Sequence, residues 1–327
     1  MSKEVERVFV TGATGLVGRA VVSRLRERDG AVTASARAVP DDAGADDLVR
    51  WVAGDLRELS GWQEQLTGHE TLVHCGALVG PGHSAADSMR VNGQGTRELL
   101  EAASRAGVEH FVHISSTGVY GYEQGRYGED DPLTIDVREP YVASKVEAER
   151  ACQWARTETS MSITVLRPSM IYGASPRGFL PMFASAIGEG KFKILGDGGA
   201  RMPVVSVDDV AAAVVQVVST PEARGQTYNI DAEGEATWRE VVELIASQVG
   251  AAPPKSIPRW VAASVARVAQ WISALPGVPP SPLHPVLVEM MTRSYRYDIS
   301  RAKQTLGLEP TPWAEGITAA LSEIASR

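Results

Sequence analysis

Apolar and polar positions follow each other along the chain in blocks, and their spacing switches between that of a buried strand and that of an amphipathic helix. Val8 to Val10 form an apolar run, and apolar residues then recur at helical spacing from Leu16 to Leu25. Further strand-like runs lie at Ala31 to Ala34, Thr71 to His74, His110 to Ile114 and Ile163 to Leu166. Because these runs alternate with helix-patterned stretches, we expect a doubly wound parallel sheet of the α/β class.

A glycine-rich turn joins the first predicted strand to the first predicted helix. The segment from Thr11 to Gly18 reads TGATGLVG, so its glycines have the spacing G-x-x-G-x-x-G. Gly12 permits a tight turn, Gly15 lets the backbone approach a pyrophosphate, and Gly18 allows close packing of helix on strand. The helix N-terminus adds unpaired N–H donors. The turn predicts a dinucleotide site, and the alternative is an ordinary strand-to-helix turn.

Three polar residues in the middle of the chain have the chemistry of a proton-transfer site. Tyr141 and Lys145 lie one helical turn apart, on the same face of a predicted helix. A free tyrosine has a pKa of about 10, and an ammonium nearby favours its phenolate. Ser116 can hydrogen-bond a substrate oxygen on which negative charge develops. We expect Tyr141 to exchange a proton with a carbonyl or alcohol oxygen, the alternative being a Tyr-Lys pair on a helix surface.

Along nearly its whole length the chain resembles the extended short-chain dehydrogenase/reductases, the superfamily of NAD-dependent epimerases and dehydratases. Besides the glycine turn and the Tyr141 segment, the resemblance rests on Gly54 to Leu56, His74 to Ala77, Val91 to Thr96, His113 to Gly121, Leu166 to Gly173 and Val205 to Val210. In character the chain is most similar to ketoreductases like 3β-hydroxysteroid dehydrogenase and dihydroflavonol reductase. The resemblance implies a Rossmann-type fold and catalytic roles for Ser116, Tyr141, Lys145 and Asn92. An asparagine near a helix start is also a common helix cap.

The resemblance further implies a set of cofactor contacts: Gly12, Thr14, Gly15, Leu16, Val17, Gly18, Arg37, Asp55, Leu56, Cys75, Gly76, Ala77, Ser115, Tyr141, Lys145, Pro168 and Met170. At the end of the second strand, epimerase-like relatives have an aspartate for the ribose 2′-hydroxyl. Ala36 occupies that position here, and Arg37 matches the arginine of NADP-using reductases. NADP(H) is therefore favoured, with NAD(H) and a merely solvated Arg37 as the alternative. Asp41 and Asp42 lie too far along the loop to replace the acid.

The length of 327 residues indicates a main domain plus a smaller one. By resemblance, residues 1–173 and 201–230 form the NAD(P)-binding domain, and residues 174–200 and 231–327 form a substrate-binding lobe.

The net charge of −8 argues against nucleic-acid binding. Cys75 and Cys152 are expected to be buried free thiols of a reducing compartment. No cluster has metal-ligand spacing, and neither a signal peptide nor a membrane-spanning run of ~20 apolar residues is found, so we expect a cytoplasmic protein.

The substrate is specified by fewer signals. The resemblance makes His83, Ser116, Thr117, Phe179 and Arg201 candidate contacts. A predicted amphipathic helix from Ser256 to Ile272 bears Trp260 and Trp271, which line an apolar pocket or pack in the core. The loop from Pro276 to Pro285 also fits an apolar cavity.

The sequence is compatible with three functions. The first is an NAD(P)-dependent oxidoreductase for a bulky, largely apolar ketone or secondary alcohol, steroid-like or acyl-derived. The second is a nucleotide-sugar epimerase, dehydratase or ketoreductase, in which Arg201 and Arg293 hold the pyrophosphate. The third is a dinucleotide-sensing regulator without turnover, which the intact Ser116, Tyr141 and Lys145 disfavour.

The family pairs its subunits through two helices, which here begin near Asn92 and Tyr141. The second helix carries small apolar residues suited to close contact, namely Val146, Ala148, Ala151, Cys152 and Ala155. A homodimer is therefore expected.

Overall fold

The computed structural model describes residues 7–28, 31–41, 43–44, 47–80, 83–136, 138–176, 178–273 and 284–326. Its strands are β1 (Val8–Thr11), β2 (Val32–Ala36), β3 (Val49–Ala53), β4 (Thr71–His74), β5 (His110–Ile114), β6 (Gly125–Tyr127), β7 (Ser162–Pro168), β8 (Met170–Tyr172), β9 (Lys193–Leu195), β10 (Val204–Ser206), β11 (Thr227–Ile230), β12 (Lys255–Ile257) and β13 (Tyr295–Tyr297). Its α-helices are α1 (Leu16–Arg26), α2 (Ala85–Ser88), α3 (Gly95–Arg105), α4 (Pro140–Glu158), α5 (Phe179–Gly188), α6 (Val207–Ser219), α7 (Trp238–Gln248), α8 (Arg259–Ser273), α9 (Pro285–Thr292), α10 (Ser300–Leu306) and α11 (Trp313–Ser326).

Seven strands form one parallel sheet in the order β11-β7-β5-β4-β1-β2-β3. The chain starts at β1, winds outward to β3, then returns to β4 on the other side of β1 and winds outward again. This reversal opens a crevice at the carboxyl ends of β1 and β4, where ligands of such sheets bind. The predicted doubly wound α/β fold is confirmed, and the five predicted strands are β1, β2, β4, β5 and β7.

Three groups of apolar side chains fill the interior of the described chain, the smallest of them around Tyr120 and Tyr295. The first covers both faces of the large sheet and includes Val10, Val73 and Phe111. The second surrounds Trp238 and includes Leu180, Val241 and Ile317. The division into a cofactor domain and a substrate lobe stays a prediction. Ala302 and Leu306, which it places in the lobe, pack in the first group.

Helix α8 differs from the expectation for the amphipathic segment. Trp260 and Trp271 were expected to line a pocket or to pack in the core, and both expectations are wrong, because their exposed fractions are 73% and 76%. The buried positions of α8 are alanines instead. Of the expected proline-rich loop, Pro285 begins α9 and residues 276–283 lie outside the described residues. No helix in the described ranges is long and apolar enough to cross a membrane.

The residues expected to contact a partner subunit are already buried within their own chain. Ala148 and Ala155 of α4 have no exposed surface, and Val146, Ala151 and Cys152 are buried as well. They pack against the chain's own core, because α4 lies across β7 and α3. These side chains therefore cannot form the subunit contact that the sequence indicated.

Candidate active site

The glycine turn lies against the segment that follows β4. Gly12 has a φ of 66°, a left-handed conformation that favours glycine. A Cβ atom on Gly12 would stand 2.6 Å from the Gly76 nitrogen, and one on Gly18 would overlap the Gly12 carbonyl oxygen. The backbone therefore passes close to β4 and α1 packs closely on the turn, as the sequence predicts.

Helix α1 begins directly after this turn, and no side chain caps its first N–H groups. Gly15 precedes the helix and offers no side-chain cap, and the first turn of α1 carries no acidic residue. An uncapped helix N-terminus is a site for an anion such as a pyrophosphate. The residues from Thr14 to Val17 surround this N-terminus, so the predicted turn fits a dinucleotide.

Further predicted cofactor contacts lie at the carboxyl ends of β2, β3 and β4. Arg37 is exposed directly after β2, where no acid stands; Asp41 is exposed further along, and Asp42 lies outside the described residues. The Asp55 carboxylate accepts a hydrogen bond from the Arg57 backbone nitrogen at 2.9 Å. Leu56 packs beside Gly76, since a Cβ on Gly76 would lie 2.8 Å from its Cδ1.

The carboxyl-end segments also carry the remaining predicted contacts. Burial raises the pKa of Cys75 to about 12, so its side chain is a neutral thiol. Ala77 follows Cys75 and Gly76 after β4, while Pro168 ends β7 and Met170 begins β8. No group of three or more His, Cys, Asp or Glu side chains suited to a metal ion occurs in the described part of the chain.

Lys145 is buried in α4 and anchored to the large sheet. Its Nζ donates a hydrogen bond to the Ile114 carbonyl oxygen at 2.7 Å, at the end of β5. The Nζ atom lies 6.0 Å from the centre of the Tyr141 ring. Burial lowers the pKa of Lys145 to about 8, against the opposing effect of the Glu149 carboxylate.

Tyr141 stands in the first turn of α4, which Glu139 caps by accepting hydrogen bonds from the Tyr141 and Val142 nitrogens at 3.2 and 2.7 Å. Burial raises the pKa of Tyr141 above its ordinary value; the Glu139 charge adds to this, and a hydrogen bond with Ser116 opposes it. Burial, the largest influence on this pKa, therefore opposes the phenolate that a nearby ammonium is expected to favour. At neutral pH Tyr141 carries its proton.

Asn92 is not a helix cap. It lies inside a π-helical turn, Met89–Gln94, that interrupts the path from α2 to α3. Its Oδ1 accepts from the Leu78 nitrogen at 2.7 Å, and its Nδ2 donates to the Leu78 oxygen and to the Ser144 Oγ, both at 3.0 Å. Asn92 therefore ties the segment after β4 to the turn of α4 that holds Tyr141. A direct role in catalysis stays a prediction.

A buried ionic network beneath Lys145 escaped the sequence reasoning. Glu149 and Arg167 form an ion pair of 2.6 Å between Oε2 and Nη2, with both side chains nearly inaccessible. The Ser115 hydroxyl donates to Glu149 at 2.5 Å, so its hydroxyl serves this network. Arg167 also donates to the Tyr120 oxygen at 2.6 Å. The available signal was spacing: Glu149 stands one turn beyond Lys145 on the same helix face.

Two histidines of β4 and β5 lie below the site. His74 bonds to the Thr11 and Thr96 hydroxyls at 2.7 and 3.0 Å. The His74 and His113 rings stack with centres 5.4 Å apart. Burial lowers the pKa of His74 to about 3 and that of His113 far below its ordinary value, so both rings are neutral. The Lys145 ammonium therefore has no positive charge on either of these two rings beside it.

The candidate substrate residues differ in burial and lie in different elements of the structure. Thr117 is buried in the turn after Ser116, and His83 is exposed. Phe179 begins α5 and contacts Phe183 edge-on at 5.2 Å. Arg201 is buried and donates to the Asp231 carboxylate at 2.8 Å, while its Nε and Nη1 have no partner among the described residues. The structure brings together Ser116, Tyr141, Lys145 and Asn92.

Comparison with known proteins agrees with this geometry. The sequence model described as "NAD dependent epimerase/dehydratase family" matches residues 8–231. A UDP-glucose 4-epimerase of Mycolicibacterium smegmatis is 31% identical over 95% of this chain and 96% of its own. A 3β-hydroxysteroid dehydrogenase/Δ5→4-isomerase of Mycobacterium tuberculosis is 29% identical over 95% of this chain and 88% of its own. The solved structure of MoeE5 with UDP-glucuronic acid and NAD is 27% identical, with a TM-score of 0.77 over 98% of this chain and 99% of that one.

Proposed function

The chain belongs to the NAD dependent epimerase/dehydratase family, and we propose that it catalyses hydride transfer between a nicotinamide cofactor and a ketone or secondary alcohol of a bulky, largely apolar substrate. The observation that carries the proposal is the buried Tyr141 phenol, with the anchored Nζ of Lys145 6.0 Å from the centre of its ring. A bound nicotinamide supplies or takes up the hydride. The side chains of the protein handle the proton.

The protonation states fit the reductive direction. Tyr141 is neutral and can donate its proton to a carbonyl oxygen that gains negative charge. The Ser116 hydroxyl, whose oxygen already accepts from the Gly118 nitrogen at 3.1 Å, keeps its own proton for that same oxygen. The Lys145 ammonium then stabilises the tyrosinate that remains. In oxidation the proton moves the opposite way.

NADP(H) is the cofactor we favour, with NAD(H) as the alternative. Arg37 is exposed at the end of β2 where relatives of the epimerase type have an acid, and a guanidinium matches the geometry of a 2′-phosphate. The uncapped N-terminus of α1 and the glycine turn would hold the pyrophosphate.

The preference for an apolar substrate over a sugar nucleotide rests on the arginines. Arg201 is paired with Asp231, whose side chain is 1% exposed. Arg293, the other candidate for a pyrophosphate, is paired with Glu289 at 3.4 Å. A doubly charged pyrophosphate would have to compete with a carboxylate at both positions. An apolar ketone needs no such exchange.

A nucleotide-sugar enzyme is the second candidate, and one observation favours it. The Nε and Nη1 atoms of Arg201 are buried and have no partner among the described residues, although buried donors are normally satisfied. A phosphate oxygen would satisfy them. Two of the relatives, the epimerase and MoeE5, are linked by name to UDP-sugars.

Thermal unfolding in the presence of ligands separates the two candidates. With NADPH present, the proposal expects cyclic or long-chain ketones to raise the midpoint of unfolding and UDP or dTDP at micromolar concentration to leave it unchanged. If the nucleotide diphosphate alone raised the midpoint of unfolding and the ketones had no effect, the nucleotide-sugar reaction would be the better assignment. Arg201→Lys, which keeps the positive charge, is the control for the unfolding measurements with UDP and dTDP.

A further inference from the structure

Helix α8 packs in the reverse of the usual manner for a surface helix. Its inner positions Ala262 and Ala266 have no exposed surface. Its large apolar side chains point outward instead: Trp260, Val265, Val268, Trp271 and Ile272. Small alanines therefore attach the helix to the protein, so the fold does not require the tryptophans. A contiguous exposed apolar face of this kind marks an interaction surface.

The outward residues form one continuous strip. At about 100° per residue, the positions from Trp260 round to Val265 cover an arc of about 140°, and Trp271 falls almost directly above Trp260 three turns later. Arg267 projects at the border of this arc, beside the two tryptophans. The strip thus has aromatic rings near both ends and a cation along one edge.

The charge around the strip differs from that of the whole molecule. The chain has a net charge of −8, yet no Asp or Glu occurs between Glu243 and Glu289. The same segment contains Lys255, Arg259 and Arg267. The exposed apolar strip therefore belongs to a stretch of an acidic protein that contains Lys and Arg but no Asp or Glu, and such a stretch attracts anionic surfaces.

We propose that α8 docks this protein on an anionic lipid surface, with the helix lying in the interface and its tryptophans among the headgroups. Amphipathic helices that lie in membrane interfaces combine an apolar face bearing Trp with Lys and Arg beside it. Trp also concentrates at the boundary between headgroups and hydrocarbon. A second copy of this chain suits the strip less well, because it would bring the same cations, Arg259 and Arg267, and no carboxylate from this segment to pair with them.

The inference extends beyond the proposed reaction and does not depend on it, since binding is measured without substrate. The full chain is sedimented with vesicles of phosphatidylcholine alone and with vesicles containing equal phosphatidylglycerol. We expect binding to the anionic vesicles and at least tenfold weaker binding to the neutral ones. The double variant Trp260→Ser, Trp271→Ser should bind at least tenfold more weakly, and Arg259→Ser with Arg267→Ser should remove the preference for anionic lipid.

Ile135→Ser is the matched control, because Ile135 is 93% exposed and lies far along the chain from α8. It should bind vesicles as the parent does. Quenching of the parent's tryptophan fluorescence by brominated phospholipid tests the same contact without any substitution. Absence of binding, equal binding by the tryptophan variant, or unquenched fluorescence would overturn the proposal. So would a fall in mass of the tryptophan variant in light scattering, which would show that a second copy covers the strip.

Discussion

Tyr141 and Lys145 have pKa values that burial shifts in opposite directions. The phenol is held neutral because its charged form is desolvated, and the ammonium loses its proton more easily for the same reason. In the proposed reaction the pair therefore works as a proton donor with a nearby cation, rather than as a preformed tyrosinate. Sequence spacing places the two side chains on one helix face, but it carries no information about burial, which decides the protonation state.

Replacing Tyr141 by phenylalanine removes the transferable proton while keeping the ring. General acid catalysis contributes about 10²- to 10⁴-fold, so turnover should fall by at least about two orders of magnitude while NADPH binding persists. Tyr127→Phe is the matched control, since among the described residues the Tyr127 hydroxyl donates to the Glu123 carbonyl oxygen, at 3.0 Å. Wild-type turnover in Tyr141→Phe would refute the assigned role.

Lys145 should impose a pH dependence on reduction. Its pKa of about 8 means that the ammonium is lost as the pH rises above that value, so kcat/KM for ketone reduction should fall there. Stability should not fall with it. From about pH 8 up to the ordinary lysine pKa the unfolded chain binds more protons at this position, so the contribution of Lys145 to stability rises. A profile that stays level above pH 8 would contradict this account.

Arg37 should determine the choice of nucleotide. A charge-assisted hydrogen bond contributes about 1.5 to 3 kcal/mol, so NADPH should bind roughly tenfold or more tightly than NADH. Arg37→Ala should weaken NADPH binding and leave NADH binding unchanged in calorimetry, whereas Arg105→Ala, at the end of α3, should change neither. Equal affinities in the parent protein would favour NAD(H).

At the scale of elements, the predicted strands are buried and carry consecutive apolar residues. All positions of β1, β4 and β5 are buried, and each contains two or three adjacent apolar side chains, as in Val8–Val10 of β1. The edge strand β3 has only Val49 fully buried, so its sequence lacks that pattern. The other edge strand, β11, mixes apolar with polar residues. Neither edge strand stands out in the sequence.

The helices show where spacing misleads. Asn92 precedes α3 and resembles a cap in sequence, but the π-helical turn places it inside a continuous helical path with internal partners. In α8, apolar periodicity correctly predicts an amphipathic helix and gives the wrong orientation. A sequence pattern defines a face, while the side of the helix that meets the protein depends on neighbours distant in sequence.

Helices α3 and α4 are still the elements through which we propose a homodimer, by their outer rather than their inner faces. Arg97 of α3 lies 3.3 Å over the Trp154 ring of α4 and pairs with Glu101, so a part-buried aromatic and an ion pair lie on that surface. Light scattering at micromolar protein should give twice the 34.9 kDa of one chain. The mass of a single chain would refute the dimer.

At the scale of the whole molecule, ion pairs link segments that the sequence keeps far apart. Glu149 with Arg167 joins α4 to β7, and Arg201 with Asp231 joins the segment before β10 to that after β11. Removing one partner of such a buried pair costs about 3 to 5 kcal/mol. The sequence marked Arg201 only as a candidate phosphate ligand, because its carboxylate partner is identified by the fold alone.

The central claim is that hydride passes between a nicotinamide and a ketone carbon while Tyr141 supplies the proton. The most direct measurement uses NADPH carrying deuterium at the transferred position, a panel of cyclic and long-chain ketones, and mass spectrometry of the alcohol formed. The account predicts one deuterium on the carbinol carbon with the parent protein and at least about a hundredfold less product with Tyr141→Phe. Conversion of a UDP- or dTDP-sugar, with no deuterated alcohol from any ketone, would contradict it.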